Sequence, residues 1–256
     1  MTFRFDSKTH TYYYDGAKMT GVTTVLGVIA KPMLIQWAAN MAVDYILKYA
    51  NMEAVELTGN FIVTPLTANQ ARTAHTRQRD ARAVAGTSTH NLVEQYVKSA
   101  IEWNVGVAQP HETDNHQLKQ FVEWAVTNKV TFLESEKVMY HPDWFVGGTC
   151  DLVFLLDGKK YVGDVKTSKA VYYEAHVQSS TYQEMLKSMG ETDFHGTVVI
   201  HLPEDGKLQT YYHFDQETNL SVFLAALTIY RAKAVYGTME SNEKKERKQK
   251  KLTTKK

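Results

Sequence analysis

The sequence predicts an α/β fold in which a central mixed β-sheet is flanked by helices and preceded by a helical N-terminal half. Two changes in hydrophobic spacing predict it. Apolar residues recur mainly at helical spacing up to residue 129, and at the two-residue spacing of strands over residues 130–166. A further helical stretch then separates this region from a last pair of strand-like runs. Such alternation of strands and helices is typical of one α/β domain.

The N-terminal elements follow from turn residues and helix stops. Residues 3–20 alternate apolar and polar side chains around Asp15-Gly16, which predicts short strands joined by a tight turn. A short helix through Val28 follows, and Pro32 stops it. Three helical stretches and one loop complete this half: a helix Met33–Tyr49, a loop over residues 51–65, a helical stretch over residues 66–103 with a break near Gly86, and a helix Gln117–Lys129.

The C-terminal half begins with strands. Asp157-Gly158 lies between two apolar runs and is a strong signal for a two-residue hairpin. Gly190 follows a helical stretch and suits the position just after a helix end. The predicted elements are strands Val130–Tyr140, Phe145–Leu156 and Lys159–Lys166, a helix Tyr172–Met189, strands His195–Leu202 and Leu208–Phe214, and a helix Glu217–Tyr236.

Composition limits the class of protein. With 256 residues, 43% hydrophobic and 22% charged, the chain is typical of a soluble globular protein and unlike collagen, a coiled coil or a disordered chain. Its single cysteine, Cys150, excludes an internal disulfide framework, a zinc ribbon and a cysteine-ligated iron–sulfur cluster. Neither a signal-peptide core nor an apolar run of about 20 residues is visible. We therefore expect a soluble protein of the cytoplasm without a membrane partner.

Charge is divided unevenly along the chain. Residues 244–256, KKERKQKKLTTKK, hold eight Lys/Arg and one Glu, a net charge of +7. Subtracting these from the 29 Lys/Arg and 28 Asp/Glu of the whole chain leaves 21 and 27, so residues 1–243 carry −6. The basic run predicts a disordered tail over residues 241–256, which either contacts a polyanion or is only a solvated end.

The most informative stretch is residues 147–169, GGTCDLVFLLDGKKYVGDVKTSK. If its two-residue turn forms, counting outward from the turn places Asp151 opposite Asp164. Directly opposed residues share a sheet face, with Cβ atoms about 4.5–5.5 Å apart. Lys166 is two residues beyond Asp164 and therefore lies on that face as well. A four-residue loop would keep the three together, whereas a three-residue loop would break the pairing.

The two facing carboxylates need compensation, because they repel each other if both are ionised. A divalent cation suits them, since Mg²⁺ and Mn²⁺ prefer oxygen ligands and keep several waters. Such a site fits phosphodiester hydrolysis, in which the metal activates water and Lys166 donates where charge develops. An isolated D-x-K pattern is more often a surface ion pair. Here, however, Asp164 lies in an apolar strand, where an unpaired acid is costly.

Four motifs occur in the order Gly86-Thr87 with His90, Gly148-Thr149-Cys150-Asp151, Asp164-Val165-Lys166, and Gln178 with Tyr182. In this combination they resemble the RecB-like exonuclease branch of the PD-(D/E)XK nuclease superfamily, which includes phage-encoded exonucleases and the mitochondrial genome maintenance exonuclease. Residues 20–42, TGVTTVLGVIAKPMLIQWAANMA, also resemble the start of phage members. The resemblance implies a restriction-endonuclease-like core.

The resemblance also implies roles at the site. Metal ligation is implied for His90, Asp151, Asp164 and the main-chain carbonyl of Val165, with Mg²⁺ or Mn²⁺ as the cofactor. Lys166 would be the catalytic lysine, acting with the two aspartates. Taken alone, the histidine could equally be an ordinary core or surface residue.

A second group of residues is a candidate for contact with DNA or for support of the site. By resemblance, Gln178 and Tyr182 contact the DNA backbone or hold the sheet, and their spacing puts them on one helix face; simple packing is the alternative. Arg79 and Arg82 belong to an arginine-rich helical run and either line a DNA path or form an exposed face. Lys169, just after the D-x-K motif, joins this group.

Some residues are weaker candidates. Glu136, on the strand before the first acid, either supports the metal or, more simply, is a surface acid. The tyrosines at residues 12–14 more often pack against a sheet than stack on bases. Cys150 is expected to be a small buried hydrophobe and not a nucleophile. Gly147 and Gly148 are expected to let a backbone or a substrate approach closely.

The sequence therefore predicts a Mg²⁺- or Mn²⁺-dependent deoxyribonuclease, an exonuclease rather than an endonuclease by resemblance. Its expected partner is single- or double-stranded DNA with ends, and replication or recombination proteins are further candidates. A phage-encoded chain would act in the cytoplasm of the bacterial host. The alternatives are a nuclease-fold DNA-binding protein that no longer cuts, a structure-specific endonuclease of the same fold, and a hydrolase of another phosphoester such as a nucleotide. We expect one nuclease domain over residues 1–240, with a helical part over 20–129 and a catalytic sheet core over 130–237.

Overall fold

A computed structural model describes residues 2–29, 31–49 and 63–253. The chain forms two compact units, one made of Met1–Ile29 with Val93–Lys256 and the other of Ala30–Leu92. The single nuclease domain over residues 1–240 stays a prediction. The loop predicted over residues 51–65 lies outside the described residues as far as residue 62, and Pro65 already begins a helix.

The first unit contains a small antiparallel sheet near the N-terminus. Its strands are β1 (Phe3–Asp6), β2 (Thr11–Tyr14) and β3 (Ala17–Lys18), in that spatial order. The turn between β2 and β3 is the predicted one, because Asp15 and Gly16 both have positive φ, 47° and 79°. This meander brings the tyrosines of β2 against the larger sheet.

The larger sheet is mixed and has six strands. They are β4 (Thr20–Gly21), β5 (Thr131–His141), β6 (Val146–Leu156), β7 (Lys159–Lys166), β8 (Phe194–His201) and β9 (Gln209–His213). Neighbours in the order β4-β6-β7-β8-β9 are hydrogen-bonded, and β5 pairs with β6. β5, β6 and β7 form an antiparallel meander, whereas β7 and β8 are parallel, as are β4 and β6.

Helices cover both faces of the large sheet. The helices of the described residues are α1 (Val22–Leu26), α2 (Pro32–Tyr49), α3 (Pro65–Arg72), α4 (Ala74–Asn104), α5 (His116–Thr127), α6 (Tyr173–Ser188) and α7 (Glu217–Thr253). α6 packs on the face that carries Val153 and Val162, and α1 and α7 pack on α6. On the opposite face, Trp124 of α5 meets Phe154 of β6. The predicted fold class, a central mixed sheet flanked by helices, is confirmed.

The second unit is helical. Its first two helices, α2 and α3, are joined by a hydrogen bond from the Tyr45 hydroxyl to Gln70 Oε1 of 2.9 Å. The predicted break near Gly86 is wrong, because α4 runs through this glycine and the interruption falls at Thr73. One glycine costs a helix only about 1 kcal/mol, which is too little to end a helix of 31 residues.

The last helix is longer than the sequence predicts. α7 continues past Tyr236 to Thr253, so the predicted helix end at Tyr236 is too early. The reason is composition: residues 238–253 contain Lys, Arg, Glu and Gln, which favour helices, and neither proline nor glycine. The disordered tail over residues 241–256 stays a prediction. None of the described helices combines the length and the apolar character needed to cross a bilayer.

Candidate active site

The β6–β7 hairpin has the register that the sequence predicts. Pairing runs from Leu156 opposite Lys159 to Leu152 opposite Gly163. The two turn residues have φ of 50° and 73°, the left-handed conformation that a two-residue hairpin turn needs. One further step in this register brings the two predicted metal-binding acids to facing positions.

At that step the two strands diverge. β5 occupies one edge of β6, and on the other edge β6 passes from β7 to β4, which pairs with Val146 and Gly147. Between these pairings, residues 148–150 have no strand partner on that edge within the described part of the chain. Asp151 Oδ2 instead accepts a hydrogen bond of 2.6 Å from the backbone N–H of Val165. The carboxylate thus replaces a ladder carbonyl where the strands separate.

Asp164 and Lys166 form an ion pair at the same place. Lys166 Nζ lies 2.6 Å from Asp164 Oδ2, and the exposed fractions of the two side chains are 26% and 2%. Burial raises the pKa of Asp164, the lysine opposes this, and the charge of Asp151 reinforces it. Burial on its own would lower the pKa of Lys166, but attraction to Asp164 and Asp151 outweighs it and the pKa is raised. The lysine therefore stays an ammonium.

Two side chains of α6 continue this network. Lys166 Nζ donates to Gln178 Oε1 at 3.4 Å, and Gln178 Nε2 donates to the Tyr182 hydroxyl at 2.8 Å. The predicted placement of both on one helix face agrees with this geometry. Tyr182 is buried, and a Cβ added at Gly148 would lie 2.6 Å from its Cε1. The ring thus fixes the glutamine that contacts the lysine.

Tyr12 approaches β6 from the N-terminal meander. Its hydroxyl lies 2.9 Å from Thr149 Oγ1 and 2.9 Å from His10 Nε2. A Cβ added at Gly147 would lie 2.3 Å from Tyr12 Cγ. Gly147 and Gly148 therefore make room for the rings of Tyr12 and Tyr182. The sequence predicted that a backbone or a substrate would approach there.

Glu136 is a functional candidate that the sequence did not favour. Its two neighbours in β5 pair with the two neighbours of Asp151 in β6, so the two acids are level. Its φ of 51° is uncommon for a residue other than glycine. Burial, followed by the negative charges of Asp151 and Glu94, raises the pKa of Glu136 to about 7. The site thus has a third acid, on the strand next to Asp151.

The other predicted site residues lie elsewhere or keep untested roles. Arg79, Arg82 and His90 belong to the second unit, on α4, and Arg79 pairs with its neighbour Asp80 at 2.8 Å. Lys169 is exposed in the connection between β7 and α6. Ligation by His90 and by the Val165 carbonyl stays a prediction, and the Val165 contact described above uses its N–H.

Asp151 and Asp164 are two carboxylates of the described first unit that could hold a metal ion. Across the described residues, no group of three or more His, Cys, Asp or Glu side chains is arranged to do so. Cys150, which precedes Asp151 in β6, is buried, and burial raises the pKa of its thiol, so it is not a nucleophile.

Comparisons with known proteins find distant similarity to solved structures and no match to a family. No protein-family model and no curated protein matches the chain. An alkaline exonuclease (LHK-Exo) from Laribacter hongkongensis is 11% identical over 62% of this chain and 92% of that chain, with a TM-score of 0.30. The solved structure of SSO0001 is 13% identical over 55% of this chain and 74% of that chain, with a TM-score of 0.27. TM-scores this low support no argument about fold or activity.

Proposed function

We propose that the chain is a metal-dependent DNA nuclease that hydrolyses phosphodiester bonds. One observation carries the proposal: Asp151, Asp164 and Lys166 come together where β6 and β7 diverge. Two carboxylates and a positioned ammonium are the groups that metal-assisted hydrolysis of a phosphodiester uses. The side chain of Lys166 is 26% exposed, so solvent reaches this group.

The donor set fits a hard divalent cation. Mg²⁺ is usually held by one or two carboxylates together with water and substrate phosphates, so Asp151 and Asp164 are a sufficient protein contribution. Burial is the main cause of the raised pKa at both Asp164 and Glu136, and the negative charge of Asp151 adds to it in each case, although Lys166 outweighs that charge at Asp164. A bound cation would favour the ionised form of both acids. Mg²⁺ or Mn²⁺ is therefore the proposed cofactor, and no part of the proposal requires an iron–sulfur cluster.

Each residue then has a definite task. The cation, when bound, supplies an activated water and neutralises charge on the phosphate. Asp151 and Asp164 hold it, and Lys166 donates to the charge that develops on the phosphate oxygens. Lys166 serves as a donor and not as a base, because its pKa is raised. Gln178 positions the lysine, since its Oε1 accepts from Nζ.

The preferred point of attack in this proposal is a DNA end. That preference comes from the resemblance to RecB-like exonucleases alone. The experiment compares linear duplex and single-stranded DNA with covalently closed circles, each with Mg²⁺, Mn²⁺ or EDTA. We expect cleavage of the linear forms with either metal and none with EDTA. Efficient cutting of closed circles would overturn the exonuclease part and leave the nuclease part intact.

The role of Lys166 has a matched control on the same strand. Lys166→Met should slow cleavage by about a hundredfold or more, because it removes a donor to the transition state. Lys159→Met, at the exposed opposite end of β7, should cut at the parent rate. A fully active Lys166→Met protein would refute the assignment of this lysine.

A further inference from the structure

A cleft lies beside the candidate active site, between the N-terminal meander, α1 and β6. Its volume is about 230 Å³. This is smaller than the roughly 300–1,000 Å³ of clefts that enclose a drug-sized ligand. The cleft therefore suits one small group better than a whole nucleotide.

The polar side chains that line the cleft are hydroxyls, one imidazole and one ammonium, all of which can donate a hydrogen bond. They include Lys18, Thr23 and Thr24, and the described lining contains no Asp or Glu, although residues 1–243 carry a net charge of −6. Lys18, Thr23 and Thr24 are exposed, and none of them forms a side-chain hydrogen bond or ion pair with another described residue. The hydroxyls of Thr24 and Thr23 both lie near Gly21, since a Cβ added there would be 3.6 Å and 4.0 Å from them, respectively. An ammonium and two hydroxyls with no partner in the described chain favour an anion with several acceptor oxygens.

The wall of the cleft is linked to Lys166 by two successive hydrogen bonds. Gly148 and Tyr182 form part of its wall. The Tyr182 hydroxyl accepts from Gln178, which in turn accepts from Lys166. The cleft and Lys166 are thus separated by two side chains, those of Tyr182 and Gln178.

We propose that this cleft binds a backbone phosphate of the DNA strand, through Lys18, Thr23 and Thr24. The inference rests on the proposed function, because it takes the cleft to hold the strand that the site cuts. Lysine and threonine side chains commonly contact phosphate oxygens, and such contacts fix the register of a strand without reading its sequence. The cleft would therefore set which phosphate reaches the catalytic groups.

The test is DNA binding by the full chain in EDTA, measured as fluorescence anisotropy of a labelled single-stranded oligonucleotide over a range of NaCl concentrations. Lys18→Ala should weaken binding roughly fivefold, because it removes a charge-assisted hydrogen bond. It should also reduce the steepness of the log–log salt dependence by about 0.7, the share of one phosphate contact on a single strand.

The threonines give a second, independent readout. Thr23→Val and Thr24→Val should each weaken binding roughly threefold to fivefold, because each variant lacks one hydrogen bond to the phosphate. Their salt dependence should equal that of the parent, since no charge is removed. Circular dichroism melting curves that match the parent would establish that each variant is folded.

Two variants serve as matched controls. Lys8→Ala removes a positive charge from the same meander outside the cleft, and Thr218→Val removes a hydroxyl from the second position of α7, as Thr23 occupies the second position of α1. Both should bind within twofold of the parent. Equal effects of Lys18→Ala and Lys8→Ala, or parent-like binding by both valine variants, would overturn the inference.

The binding experiment tests the cleft, whereas metal-dependent cleavage tests the proposed function, so the two can fail independently. A chain that cuts DNA but binds it equally well after all three cleft substitutions would retain the proposed function and lose the inference. A chain that loses affinity as described but cuts with neither Mg²⁺ nor Mn²⁺ would retain the cleft and lose the nuclease assignment. A parent that binds no oligonucleotide would contradict the inference directly.

Discussion

Glu136 and Asp164 hold their protons more tightly than free carboxylic acids do, and both do so mainly because they are buried. Repulsion from Asp151 adds to the effect in each case. Burial removes water from these two carboxyl groups and makes their ionised forms less favourable. Such placement is typical of functional sites, and it lowers the stability of the protein without metal.

Replacing Glu136 by glutamine should stabilise the metal-free protein at neutral and alkaline pH. The pKa of this glutamate is raised from 4.5 to about 7, so between these values the folded state binds more protons than the unfolded state. Stability of the parent therefore falls as pH rises through that window. Glu136→Gln should be more stable by about 1 kcal/mol at pH 8, a value reduced for solvent screening of a partly exposed group, and the gain should vanish near pH 4.5.

The measurement is urea unfolding in EDTA at several pH values. Glu123→Gln, an exposed glutamate on α5, is the control and should show no comparable gain at pH 8. A constant difference between Glu136→Gln and the parent over pH 4.5–8 would contradict the raised pKa.

Gly147 should not tolerate a side chain. A Cβ there would lie 2.3 Å from Cγ and 2.5 Å from Cβ of Tyr12, atoms close to the tyrosine backbone that cannot swing away. Gly147→Ala should cost about 2 kcal/mol of unfolding free energy, as overpacking does. Gly237→Ala is the control: its Cβ would meet nothing within 4 Å, and alanine favours a helix. If Gly147→Ala unfolds like the parent in urea, the close Tyr12 contact is wrong.

At the scale of elements, the site depends on the divergence of β6 and β7. A regular antiparallel pair would satisfy the Val165 N–H with a carbonyl of β6, whereas here Asp151 Oδ2 accepts that hydrogen at 2.6 Å. The acid therefore terminates the ladder as well as facing Asp164. Asp151 thus both ends the pairing of β6 with β7 and is a proposed metal ligand.

This link can be followed by amide hydrogen exchange. Asp151→Ala removes the acceptor of the Val165 N–H, and a buried donor without a partner costs about 1–3 kcal/mol. Exchange at the Val165 amide should therefore quicken by about tenfold or more in the metal-free protein. Asp151→Asn keeps an acceptor oxygen and should retain most of the protection. Equal exchange in the two variants would show that the carboxylate does not hold the strand end.

The sequence predicted this hairpin well because its determinants are local. Asp157-Gly158 specifies the turn, the turn specifies the register, and the register brings Asp151 level with Asp164. The place of Glu136 could not be predicted locally, since a register shift between Phe132 and Glu134 brings it level with Asp151 instead of Cys150. Strand alternation alone cannot locate such a bulge.

Contacts between distant segments could not be predicted in this way. The hydroxyls of Tyr12 and Thr149 meet across 137 residues, and nothing near either residue indicates the other. The same holds for the cleft between the meander, α1 and β6, which exists only once β4 has paired with β6. Pairings of this kind depend on the whole fold.

At the scale of the whole molecule, charge is segregated. Residues 1–243 carry −6 and residues 244–256 carry +7, and the helix α7 extends through most of the basic run. A basic segment of this kind attracts polyanions without reading their sequence. We therefore expect the basic segment to strengthen DNA binding and to take no part in hydrolysis.

Removing residues 244–256 should leave cleavage of short oligonucleotides within twofold of the parent rate. It should make the log–log salt dependence of binding to long duplex DNA less steep, by about 0.9 for each phosphate that the segment neutralises in the parent. A variant in which the eight Lys/Arg of this segment are Gln separates charge from length and should behave like the deletion. An unchanged salt dependence in both would mean that the segment does not bind DNA.

The central claim is that Asp151 and Asp164 hold the cation with which the chain cuts DNA. Its most direct test is the rate of cleavage of end-labelled linear DNA, with Mg²⁺ or Mn²⁺, by the parent and by Asp151→Asn and Asp164→Asn. Asp157→Asn, in the turn of the same hairpin, is the control. We predict metal-dependent cleavage by the parent and the control, and a loss of at least about a hundredfold in the other two variants. Parent-like cleavage by either of those variants, or no cleavage by the parent with either metal, would contradict it.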